Sequence, residues 1–116
     1  MKYNVTITAI GNLSSNFLYN NNSLIILNQN TSPNLADMVV EHTIAPINGT
    51  IQVGDTLTIG IQTYPITGIG NEVIKNLLND GHCTIIFNKK IELPGQLSVQ
   101  GYALPRLVIG DKIFIK

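Results

Sequence analysis

Val53-Gly54-Asp55-Thr56-Leu57-Thr58-Ile59 returns near the end of the chain as Ile109-Gly110-Asp111-Lys112-Ile113-Phe114-Ile115, an offset of 56 positions. In both places a Gly-Asp turn feeds a short alternating run, the pattern of a strand with one face on a core. Further out, Ile7-Thr8-Ala9-Ile10-Gly11 returns as Ile66-Thr67-Gly68-Ile69-Gly70, an offset of 59. Ile25-Ile26-Leu27-Asn28 returns as Ile85-Ile86-Phe87-Asn88, an offset of 60. Three matches in one order at nearly equal offsets imply two copies of one unit, about residues 1–60 and 61–116.

Each half reads mostly as β. Lys2–Ile10, Ser23–Asn28, Met38–Ile44, Thr56–Ile61, Tyr64–Ile69, Cys83–Phe87, Gln96–Gln100 and Lys112–Lys116 are short Ile/Val/Thr/Leu-rich runs bounded by Gly, Pro, Asn or Asp. One helix is predicted over Asn71–Asp80, capped by Asn71, striped with Val73, Ile74, Leu77 and Leu78, and ended by Gly81. Its weaker counterpart is Leu13–Tyr19, where Leu13 and Phe17 stand four apart before Asn20-Asn21-Asn22. The fold expected is mainly β: one domain over 1–116, a small closed barrel of two duplicated halves, each with a short helix. Closure removes the exposed strand edges that such short runs otherwise leave.

Seven Lys/Arg against seven Asp/Glu, with 12% of residues charged, lack the basic cluster that nucleic-acid binding needs. The single cysteine, Cys83, excludes an internal disulfide and a cysteine zinc cluster. His42 and His82 lie 40 positions apart without a cysteine pair, which is no zinc spacing, so no metal is expected. The N-terminus lacks a long apolar signal region and no run reaches the roughly 20 residues of a membrane span. A cytoplasmic domain is expected. Its N-x-[ST] sites at Asn4, Asn12, Asn30 and Asn48 then read as polar turns.

Familiar catalytic motifs fail in turn. Gly68-Ile69-Gly70 opens a helix after a strand, but Val73 stands where a dinucleotide turn needs its third glycine. No G-x-x-x-x-G-K-[ST] loop exists, and no cofactor is implied. The two Gly-Asp turns lack the Asp-Thr/Ser-Gly of paired-barrel proteases, so Asp55 and Asp111 read as acceptors of backbone N–H groups in tight turns. Cys83, in an apolar strand, reads as a small buried side chain rather than a nucleophile. Arg106, Lys89 and Lys90 read as solvated loop charges. The reactive groups that remain are His42, ending Met38-Val39-Val40-Glu41-His42-Thr43-Ile44, and His82, beginning the strand after the clear helix. Each reads either as a structural hydrogen-bonding residue or as a site.

Val53-Gly54-Asp55 through Tyr64-Pro65-Ile66-Thr67-Gly68-Ile69-Gly70, then Asn76-Leu77, Gly81-His82-Cys83-Thr84 and Leu93-Pro94-Gly95, stand in the order seen in one family. With Thr6-Ile7-Thr8-Ala9-Ile10-Gly11, the chain resembles the glucitol/sorbitol-specific enzyme IIA proteins of the bacterial phosphoenolpyruvate-dependent sugar phosphotransferase system over nearly its whole length. The resemblance implies a phosphoryl carrier, taking phosphate from phospho-HPr onto His42 and passing it to enzyme IIB for glucitol/sorbitol uptake through the membrane component, enzyme IIC. It also gives His82 a role in supporting the site. Some members carry H-x-H-G at the acceptor; here the residues are His42-Thr43-Ile44-Ala45, so the second histidine is missing. The role asks for a ring presented at the barrel surface, one nitrogen free and the other N–H held by an acceptor. A ring walled in with both nitrogens engaged instead fits the alternative: a ligand- or protein-binding barrel with structural histidines. Oligomeric state stays open, because interlocked halves close within one chain or between two.

Overall fold

The first and last strands are neighbours, and their pairing closes the sheet. In the computed structural model, which describes residues 1–116, the order is β1 (Tyr3–Ile10), α1 (Ser14–Asn21), β2 (Ser23–Asn28), β3 (Val40–His42), β4 (Thr56–Ile59), β5 (Gln62–Ile69), α2 (Val73–Asp80), β6 (Cys83–Phe87), β7 (Gln96–Val99) and β8 (Lys112–Ile115). Around the barrel they run β1-β3-β2-β6-β7-β5-β4-β8 and back to β1. The chain is thus mainly β, a closed eight-stranded barrel with two short helices, as its composition of short β-branched runs implies.

Pairings recur in kind. β1 meets β3 antiparallel with a register shift between Ile7 and Ala9, and β5 meets β7 antiparallel with one between Ile66 and Gly68. β2–β3 and β6–β7 are the two parallel pairs. Each joins strands through a loop rather than a hairpin, with a short 3₁₀ turn at Pro33–Leu35 in the first. β4 and β5 form a hairpin whose two-residue turn, Gly60-Ile61, puts glycine first at φ +62, a primed-turn conformation that matches strand twist. That turn ends β4 at Ile59 rather than Ile61.

The core is built from the inward positions of every strand, among them Val5, Ile7, Leu24, Ile26, Leu57, Ile59, Ile66, Ile85, Leu97, Val99, Ile113 and Ile115. Leu18 of α1 and Val73 and Leu77 of α2 seal it. Two details of the helices differ from expectation. Asn71 does not cap α2: Glu72 precedes Val73 with helical backbone angles and no side-chain cap bond. Leu78 faces solvent at 65% exposure, because the apolar stripe needed to cover the barrel is only as wide as Val73, Leu77 and part of Ile74. α2 does end at Gly81, at φ +68, whose N–H donates to the Leu77 carbonyl at 3.1 Å. β3 is shorter than its apolar run because its ladder with β1 is irregular there. The Val39 carbonyl instead accepts from Gly11 N–H, and Thr43 N–H donates to the Thr6 carbonyl.

Candidate functional site

β3 alternates Val40 inward, Glu41 outward and His42 inward, so its period of two sends the imidazole into the barrel. His42 is 0% exposed. The ring is therefore not at the surface, as a carrier's role would ask, and both its nitrogens are engaged. Nδ1 lies 2.8 Å from the Thr43 carbonyl oxygen and Nε2 lies 3.0 Å from the Gly81 carbonyl oxygen. Both partners only accept. A neutral ring donates to one of them and turns a lone pair on the other; the imidazolium alone donates to both. The Nδ1 grip is local to β3, whereas the Nε2 grip comes from the turn after α2.

Gly81 suits that turn for two reasons. Its positive φ disfavours a side chain, and a Cβ there would stand 2.0 Å from Asn28 Oδ1 and 2.7 Å from His42 Cε1. The missing side chain is a notch shared by Asn28 and His42, which also stand opposite each other in the parallel β2–β3 register. Asn28 Oδ1 is buried with no hydrogen-bond partner in the chain.

Tyr3 packs edge-on against the His42 ring, centroids 6.2 Å apart and planes at 86°. Its hydroxyl is also buried without a partner, and burial, aided by the nearby Cys83 thiol, pushes its pKa up to about 12. Burial likewise pushes Cys83 up to about 12, so it is a neutral core thiol and no nucleophile. His82 adjoins Gly81 in the chain and is half-buried. Its backbone N–H, not its ring, carries its bonds, to Asp80 Oδ1 at 3.1 Å and the Asn76 carbonyl at 3.3 Å. The fold thus brings the Gly81-His82 turn to His42, although 39 positions separate His42 from Gly81 in sequence.

The remaining candidates lie elsewhere. Asp55 accepts the Gln52 N–H across its turn, as expected, and also binds the Lys2 ammonium at 2.7 Å. These contacts, the Lys2 hydrogen bond first, hold its carboxyl below the usual range. Asp111 makes no matching side-chain bond to its turn; its Oδ2 lies against Gly60. Lys89 donates to the Asn21 carbonyl at 2.8 Å, while Lys90 and Arg106 are exposed. No three His, Cys, Asp or Glu side chains converge as a metal site would require. Sequence reading missed Asn28 and Thr43, one placed by parallel pairing and the other acting through its backbone. The inward phase of His42 was visible in the Val40-Glu41-His42 alternation.

Comparison with known proteins agrees with this architecture. The chain is 29% identical over 101 residues to the PTS system glucitol/sorbitol-specific EIIA component of Shigella flexneri, covering 85% of this chain and 81% of that one. The component of the same name from Escherichia coli strain K12 matches with the same identity and coverage. The crystal structure of a PTS system IIA component from Enterococcus faecalis V583 superposes with a TM-score of 0.85 over 97% of this chain and 98% of that one, at 23% identity, and so shares the fold. The family model for the PTS system glucitol/sorbitol-specific IIA component matches residues 2–114, and the chain belongs to that family.

Proposed function

We propose that this protein is a cytoplasmic phosphoryl carrier of a sugar phosphotransferase system, with His42 as the acceptor. It takes phosphate from phospho-HPr and delivers it to enzyme IIB, for uptake of glucitol/sorbitol through enzyme IIC. Family membership supports the activity. The observation that carries the site is the unequal pair of grips on one imidazole. With Nδ1–H donated to the Thr43 carbonyl, the lone pair sits on Nε2 and faces the Gly81 carbonyl, an electrostatically unfavourable pairing that loosens the turn. Transfer then requires the Gly81-His82 turn to lift. The Nε2 lone pair forms the N–P bond as the donor's P–N bond breaks, and the ring proton remains on Nδ1. A loose transition state asks chiefly for in-line positioning, which Thr43 and the β3 backbone provide. His82, riding on the same turn, supports the opened site. The halves 1–60 and 61–116 are, on this reading, two copies of one unit, supported by the recurring pairings.

Incubation with phosphoenolpyruvate, enzyme I and HPr should place one acid-labile phosphate on His42, and none on a folded His42→Ala variant. Labelling retained in that variant overturns the assignment. The full burial of the ring favours a second reading, a binding barrel in which His42 is structural. It predicts no label on the wild type and a loss of stability in His42→Ala.

A further inference from the structure

We propose that Asn28 is a phosphoryl-contacting residue, its carboxamide donating to the phosphoryl group that His42 carries; this rests on His42 being the acceptor. The sequence repeat sets Asn28 against Asn88, but the ladders set it against Phe87: His42 and Val99 lie opposite the matching Ile7 and Ile66, and their parallel partners are Asn28 and Phe87. Phe87 and Val99 are both buried apolar side chains in the core. Packing at this register is therefore met by apolar residues, and the Asn28–His42 pair answers to something else.

Asn28 is not there for a structural hydrogen bond either. Its Oδ1 is buried without a partner, an arrangement that disfavours folding unless the group serves another purpose. It faces the notch left by Gly81, which His42 Cε1 also lines. When the Gly81 carbonyl withdraws from Nε2, the group that replaces it occupies that notch. A half-turn of the planar carboxamide exchanges Oδ1 for Nδ2 with little change of shape and aims two N–H donors into it.

Such donors are needed. No lysine or arginine hydrogen-bonds to His42, Asn28 or Gly81; the lysine ammonium groups with partners go to Asp55, Asn21 and Thr6. The charge on the equatorial phosphoryl oxygens is then met by neutral N–H groups, the carboxamide of Asn28 among them.

The test uses the full chain and begins by mapping the label in the wild type to His42. Asn28→Ala and the isosteric Asn28→Asp are then compared for the rate of phosphorylation by phospho-HPr and for the half-life of the isolated phosphohistidine. Loss of one hydrogen bond to a charged group predicts a slowing of about ten-fold or more for Asn28→Ala. Asn28→Asp, which sets a carboxylate against the phosphoryl oxygens, should be slower still. Both variants should also change the phosphohistidine half-life, while the urea midpoint of Asn28→Ala stays at or above the wild-type value. Should Asn28→Ala fail to fold, the shape-preserving Asn28→Asp decides. Wild-type rate and half-life in a folded, His42-labelled variant overturn the role of Asn28 and leave His42 standing. A wild-type label mapped to any other residue overturns both.

Discussion

Replacing Gly81 by alanine tests whether the notch beside His42 is real. Two separable penalties apply. The backbone at φ +68 disfavours any side chain by roughly 1–2 kcal/mol. The new methyl must also displace Asn28 Oδ1, 2.0 Å away, and the His42 ring, whose Cε1 is 2.7 Å away. Asn28 yields by rotating a short side chain; His42 is fully buried and held at Nδ1 by the Thr43 carbonyl, and yields less. Overpacking of this kind typically adds about 1–3 kcal/mol, so Gly81→Ala should lose roughly 2–5 kcal/mol in all. The assay is urea unfolding of four proteins: wild type, Gly81→Ala, Asn28→Ala and the double variant. Asn28→Ala alone should be nearly neutral, since it removes an unpartnered oxygen. In its background the Gly81→Ala penalty should shrink by about 1 kcal/mol, the coupling expected of residues in contact, and the backbone and His42 contributions should remain. A Gly81→Ala penalty below about 0.5 kcal/mol, or one identical in both backgrounds, refutes the shared notch.

The two buried tyrosines should part company. Tyr64→Phe, which removes the 2.7 Å bond to the Ala103 carbonyl, should lose about 1 kcal/mol, while Tyr3→Phe, whose hydroxyl has no partner, should be neutral or stabilising by denaturant midpoint. At alkaline pH the native pKa values of Cys83, Tyr3 and Tyr64, each pushed up to about 12, mean that their stabilisation is intact below the unfolded values of 9.0 and 10.0 and is lost as pH rises toward 12. A pH titration of the urea midpoint that stays flat over that window contradicts this. The depressed carboxyl of Asp55 gives the opposite limb: stability present above the ordinary carboxylate range fades as pH falls below it, less so in high salt, and Asp55→Asn should abolish that dependence. Cys83 should resist aqueous thiol reagents in the native state and react once urea unfolds the barrel; fast native labelling contradicts its burial.

Local chemistry was readable where it was self-contained. Ile/Val-rich runs between Gly, Asn and Asp marked the strands, and Gly81 marked the end of α2. Non-local geometry was not. Nothing in Ser23–Asn28 announces that β2 lies parallel to β3, so Asn28 read as the end of a strand and not as the neighbour of His42. Nor does a helix-ending glycine announce that its carbonyl will reach an imidazole in another strand. The expectation of an exposed His42 came from the demands of the chemistry. The strand's own alternation pointed the other way, and burial against Val40's side prevailed.

The seam of the barrel sets a timetable. β8 comes last of the eight barrel strands in chain order, yet it lies between β1 and β4, bonded to both. Until β8 docks, β1 and β4 each carry one unpaired edge, and β1 precedes β8 by more than a hundred residues of chain. Those two edges must therefore be guarded against other strands until β8 closes the seam.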